Sequence, residues 1–165
     1  MHRKALDALM AVSRIGVLGA GQMGAGIAQV ASCSGYSVTM VDIDENAVER
    51  GMDSIRSSLQ RIVSKGRMEL KDSQAAMELI TRSTNRSDLS ECDLIVEAIP
   101  EILQLKLDTF SELDSICVRD SILATNTSSI SIDAIAKATN RPDRVIGMHF
   151  MNPVPIMKLV EIING

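Results

Sequence analysis

Three groups of residues in this chain have types and spacings that can do chemistry. The first is Gly19-Ala20-Gly21-Gln22-Met23-Gly24, a G-x-G-x-x-G turn between the apolar run Ile15-Gly16-Val17-Leu18 and a stretch of small apolar residues. Strand, tight glycine turn and helix in that order bind the pyrophosphate of a dinucleotide. Gly19 permits the turn, Gly21 lets backbone N–H groups approach the phosphates, and Gly24 lets helix and strand pack closely. The helix N-terminus adds unpaired N–H donors and partial positive charge. Gly19, Gly21, Gln22, Met23 and Gly24 are therefore the candidate phosphate-binding set. Asp42 follows 18 residues beyond Gly24, near the ~20-residue offset of a ribose-binding acid. A carboxylate there accepts hydrogen bonds from the adenosine ribose hydroxyls and repels a 2′-phosphate, with Asp44 and Glu45 adding to the repulsion. NAD is favoured over NADP. The plain alternative is that Asp42 serves only as a turn or cap residue.

The second group is His149, Glu161 and Ser128. Imidazole titrates near neutrality, so His149 can take a proton from a hydroxyl. Glu161, twelve residues on, could fix its tautomer and stabilise the imidazolium, as an Asp does in hydrolase triads. A lone histidine is commonly only a hydrogen-bonded structural residue, and Val160 and Glu161 could simply belong to another strand. Ser128, after Asn126 and Thr127, could donate to a substrate oxygen; without a G-x-S-x-G it does not read as a nucleophile. The segment could equally be a loop that caps the next helix. The third group is Ser58, Arg61 and Lys65, at helical spacings that share one face, with Arg67 after them. A basic face beside the crevice suits an anion larger than NAD; alone, it reads equally as a solvated surface.

The elements that must position these groups alternate between strand and helix. Strands are expected at Arg14–Leu18, Ser37–Val41, Ile80–Ser83, Asp93–Ala98, Ile122–Ala124 and Arg144–Met148, the last ending at His149. Helices are expected at Met23–Ser34, Leu103–Ile116 and Asp133–Ala138. Between the second and third strands, Val48, Met52, Ile55, Leu59 and Ile62 recur at helical spacing over Glu45 to about Lys65. Gly66 breaks that helix and Lys71–Leu79 follows as another. The expectation is an α/β Rossmann-type, doubly wound, mainly parallel sheet with right-handed crossovers and a helical hairpin inserted after the second strand. Gly19, Asp42, Glu97, Asn126–Ser128 and His149 all fall at or just past strand C-termini, the edge where open α/β sheets bind ligands.

Composition narrows the classes. The chain has 165 residues, enough for one domain with a proper core. Net charge −4 argues against a nucleic-acid partner. No apolar run approaches the roughly 18–20 residues of a membrane span. Only His2 and His149 are present, so a His-rich metal site is not available and no metal is expected. Cys33, Cys92 and Cys117 are widely spaced without a C-x-x-C pair; buried thiols in a reducing compartment are expected. Residues 1–13 are an N-terminal extension lacking the apolar core and cleavage pattern of a signal peptide. The location expected is cytoplasmic, or an organelle matrix in a eukaryote, and not secreted.

Residues 14–165, with the stretches GAGQMGAGIA, VEAIPE, TNTSSIS and above all HFMNPVPIMKLVEI, closely resemble the NAD-binding half of L-3-hydroxyacyl-CoA dehydrogenases, including 3-hydroxybutyryl-CoA dehydrogenases. The resemblance implies oxidation of a short-chain (S)-3-hydroxyacyl-CoA to the 3-oxoacyl-CoA with NAD as hydride acceptor. It makes His149 the base, Glu161 its orienting partner and Ser128 a donor to the substrate oxygen. It places Asp42 on the adenosine ribose and Glu101, Lys106 and Asn126 beside NAD. Ser58 and Lys65 would contact coenzyme A, and Asn152 would support the site beside His149. Family members continue into an all-helical second domain that supplies an active-site Asn, closes over the acyl chain and makes most of a homodimer interface. On that pattern this chain is the first half, able to bind cofactor but not expected to turn over alone. The alternatives are a dehydrogenase of a free 3-hydroxy acid and a non-catalytic NAD(H)-binding protein.

Overall fold

Apolar strand runs without alternation belong in a sheet covered on both faces. A computed structural model describing residues 12–165 has that architecture; most of the N-terminal extension lies outside the described residues. The strands are β1 (Arg14–Leu18), β2 (Ser37–Val41), β3 (Ile80–Ser83), β4 (Leu94–Glu97), β5 (Ile122–Thr125), β6 (Val145–Phe150) and β7 (Val160–Asn164). They form one sheet in the order 3-2-1-4-5-6-7. The helices are α1 (Gln22–Cys33), α2 (Glu45–Ser64), α3 (Leu70–Glu78), α4 (Leu103–Ile116) and α5 (Ile132–Ala136). The α2–α3 hairpin sits between β2 and β3, where periodicity had put it.

Successive strand residues serve opposite layers. Ile15, Val17, Leu94 and Val96 join Ile27 of α1 and Ile55 and Leu59 of α2 in one core. Leu18, Ile95 and Leu123 join Phe110 and Leu113 of α4 and Ile135 of α5 in the other. Strand order reverses between β1 and β4, which opens a crevice at their C-terminal ends.

Three expectations need correction. The strand-and-helix alternation stops at β6: β7 pairs antiparallel with it. Only residues 151–159 connect the two, too few for the crossover of a dozen or more residues that parallel pairing requires. The sixth strand also does not end at His149, because β7 pairing carries β6 on to Phe150 and leaves His149 one residue inside its C-terminal end. And Cys33 is exposed at the end of α1, whereas Cys92 and Cys117 are buried. Burial pushes the Cys92 and Cys117 thiols up, Cys117 to about 11, so neither favours its thiolate near neutral pH.

Arg141 holds the end of α4. Its Nε donates to Asp114 Oδ1 at 2.6 Å, and its guanidinium also donates to the carbonyls of Asp114, Cys117 and Val118 at 2.6–3.0 Å. Those of Asp114 and Cys117 are carbonyls that a helix C-terminus leaves without partners. Burial would raise the Asp114 carboxyl, but hydrogen bonds from Asn140 and Arg141 and the Arg141 charge hold it below the usual range. A depressed carboxyl contributes stability above its unfolded-state pKa and loses it as pH falls through the folded one. Arg141→Ala should therefore cost about 3 kcal/mol at neutral pH, read as a lower urea midpoint. The deficit should shrink below about pH 4.

Candidate functional site

The glycine turn is shaped by what would collide with a side chain. Gly19 has φ +104°, and a Cβ there would lie 2.6 Å from the Ala98 carbonyl oxygen, so the turn rests directly on the end of β4. A Cβ on Gly24 would lie 1.7 Å from the Gly19 oxygen. At Gly21 a Cβ would meet nothing within 4 Å, leaving open space above the turn. Gly21 also begins α1 with no side-chain cap, and the first turn holds no acidic residue. The first amides of α1 thus face that space without a competing anion, a donor set that fits a pyrophosphate.

Asp42 closes the far side of the turn. Its Oδ2 accepts from Ala20 N and its Oδ1 from Ile43 N, both at 2.6 Å. The turn role is real, and each oxygen keeps a further lone pair. Asp44 caps α2 by accepting from Ala47 N at 2.8 Å.

A groove of about 350 Å³ runs past Met23, Glu101, Asn126, Ser128, His149 and Asn152. His149 and Glu161 are register partners on β6 and β7, with Nδ1 and Oε2 2.9 Å apart. Glu161 therefore belongs to another strand and still reaches the histidine. A carboxylate only accepts, so Nδ1 carries the proton and Nε2 presents a lone pair. Ser128 is exposed on the loop after β5. Thr127 braces that loop: its Oγ1 accepts from Ile130 N at 3.0 Å and donates to Glu101. Asn126 accepts from Phe150 N at 2.8 Å, tying the loop to β6 and leaving its amide group available.

Beneath the groove lies a buried ion pair. Lys106 of α4 and Glu97 of β4 have side chains 1% and 0% exposed, with Nζ 2.6 Å from Oε1. Glu97 also accepts from Ile99 N and Thr125 Oγ1, both at 2.7 Å. On its outer side Lys106 meets Glu101 at 3.3 Å. Burial would raise the Glu101 carboxyl, but Thr127, the Lys106 charge and Ser129 hold it below the usual range. Glu97 was expected at the crevice; instead it is sealed under it and anchors its wall. The signal for this lay in the sequence as an acid closing a fully apolar strand, with a lysine nine residues on.

A second groove, of about 600 Å³, meets the first at Asn152. Ser58, Arg61, Lys65 and Arg67 line it, so the basic face of α2 opens onto a cavity. Its other wall is α1 with the loop after β6; Gln22 Nε2 donates to Asn152 Oδ1 across the junction at 3.2 Å. Among the described residues no cluster of three His, Cys, Asp or Glu could hold a metal, and no helix is long and apolar enough to cross a membrane.

Residues 14–165 match the family described as "3-hydroxyacyl-CoA dehydrogenase, NAD binding domain". The chain is 46% identical over 156 residues to a probable 3-hydroxybutyryl-CoA dehydrogenase of Bacillus subtilis, covering 94% of this chain and 54% of that protein. It is 42% identical to the mitochondrial hydroxyacyl-coenzyme A dehydrogenase of Homo sapiens, covering 93% and 51%. The crystal structure of (S)-3-hydroxybutyryl-CoA dehydrogenase from Ralstonia eutropha superposes with TM-score 0.92 at 44% identity, covering 94% of this chain and 55% of that one. The chain spans about half the length of the curated relatives it matches.

Two glycine substitutions separate packing from binding. Gly24→Ala should prevent stable folding, seen as loss of a cooperative melt. Gly21→Ala should leave the melting temperature near that of the wild type and weaken NADH at least about tenfold in a fluorescence titration, because its methyl enters the space above the amides.

Proposed function

Since the chain belongs to the 3-hydroxyacyl-CoA dehydrogenase family through its NAD-binding domain, we propose that it forms the dinucleotide-binding half of an enzyme oxidising (S)-3-hydroxyacyl-CoA to 3-oxoacyl-CoA. The substrate is short, a 3-hydroxybutyryl chain, as in the names of several relatives. The observation that carries the reading is the His149–Glu161 pair at 2.9 Å in a groove shared with Ser128 and bordered by Met23 of the glycine turn.

His149 Nε2 takes the proton of the 3-hydroxyl, and Glu161 stabilises the imidazolium that forms. Ser128 donates to the substrate oxygen. Bound NAD supplies the acceptor for the C3 hydride. Gly19, Gly21, Gln22, Met23 and Gly24 hold its pyrophosphate; Asp42 takes the adenosine ribose with its remaining lone pairs. Asn126, Glu101 and Lys106 border the nicotinamide side, Lys106 from beneath Glu101. Ser58 and Lys65 hold coenzyme A in the larger groove, and Asn152 supports the junction. A free 3-hydroxy acid would leave that basic groove without a ligand. The helical second half, with its dimer interface, completes the active site; that the relatives are nearly twice as long supports this.

In a chimera that joins this chain to the second half of the Bacillus subtilis relative, NADH should reduce acetoacetyl-CoA and not free acetoacetate. His149→Gln should lower kcat by at least about 10³-fold, within the scale of general-base catalysis, with NADH affinity unchanged. Near-normal turnover in that variant would rule out His149 as the base.

A further inference from the structure

Gln29 is a buried polar residue that the fold does not use. It is 3% exposed on α1, forms no side-chain hydrogen bond among the described residues, and lines the larger groove. Its amide is not sealed in the core, where Thr109 Oγ1 is the one fully buried side-chain polar atom without a partner among the described residues. The small accessible area that Gln29 keeps lies at the groove, and an amide placed there without a protein partner is free to pair with a ligand.

Its surroundings indicate the chemistry of that ligand. Gln22, Gly26 and Gln29 recur at intervals of four and three and share one face of α1. At Gly26 a Cβ would come 2.8 Å from Val154 Cβ, so this face is pressed against the loop after β6. From Gln22 to Gln29 the helix advances about 10 Å. One end of this path is the Gln22–Asn152 bond, where the groove joins that of His149. The opposite wall carries Ser58 on α2 and Lys65 just past its end, with Ile55 and Ile62 beside them. The groove thus has a cationic part, an apolar part with a single amide, and an exit toward the histidine.

We infer that Gln29 is a specificity-determining residue that recognises the neutral, amide-bearing arm linking the thioester to the phosphates of the acyl carrier. A primary amide offers both donors and an acceptor, so it can pair with a secondary amide on either side. Apolar walls suit the methylenes of such an arm, and the cationic part suits its phosphates. This rests on the function proposed above and assigns the middle of its groove. A free hydroxy acid or a bare phosphate would leave Gln29 unpaired.

The test titrates the 165-residue chain with coenzyme A and separately with NADH. Gln29→Met keeps the length and removes the amide; it should weaken coenzyme A about tenfold and leave NADH unchanged. That loss should keep its size between low and high salt, whereas the loss from Lys65→Ala should shrink with salt. Gln29→Asn, which withdraws the amide, is the second variant and should show the same loss if Gln29→Met does not fold. Wild-type affinity for coenzyme A in the folded variant would overturn the inference and leave the proposed function standing. Parallel loss of NADH would mark a merely structural role and overturn it too. No binding of coenzyme A by the wild-type chain would overturn both.

Discussion

The wall of the crevice depends on one lysine ammonium shut between two carboxylates. Taking Lys106 and Glu97 out of water costs several kcal/mol per ion before any attraction is counted, so the pair is poor evidence of net stability. What it secures is position. Glu97 collects donors from α4, from the backbone after β4 and from Thr125 of β5. Lys106 then reaches outward to Glu101, which accepts from Thr127 and Ser129 on the loop that carries Ser128. α4, the backbone after β4 and the loop after β5 are thus all tied to that charge. Removing either buried partner would strand the other as an uncompensated buried charge.

On the other side the constraint is register. In an antiparallel pair, side chains alternate between faces with period 2, and a slip of one residue reverses every one of them. His149 opposite Glu161 is therefore a property of the whole β6–β7 pairing, from Ile146 opposite Asn164 to Phe150 opposite Val160. The Asn126 bond to Phe150 N fastens that hairpin to the loop after β5. His149, Glu161 and the loop that carries Ser128 are thus held by backbone geometry, which suits the proposed site, whose groups must stay within hydrogen-bond reach.

Local patterns made much of this legible. Apolar runs marked β1 and β4, helical spacing marked α2, and the glycine turn with Asp42 marked the ligand edge, because each is set by contacts close in sequence. Arg141 and Gln29 were not legible as what they are. Each has its role fixed by partners, or by a lack of partners, contributed by elements distant in the chain. Arg141 reads as one more surface arginine until α4 ends beside it. The β7 pairing failed for a related reason: a short apolar run says nothing of direction until the length of its connection is weighed against the crossover a parallel strand needs.

The central claim is that one continuous crevice holds a dinucleotide at the glycine turn and an acyl carrier along α1 and α2, meeting at His149. A crystal structure of the chain soaked with NADH and acetoacetyl-CoA tests this most directly. The nicotinamide and the 3-oxo group are expected side by side within reach of His149, with the carrier phosphates at Lys65. A dinucleotide bound away from the glycine turn, or an acyl carrier outside the α1–α2 groove, would contradict it.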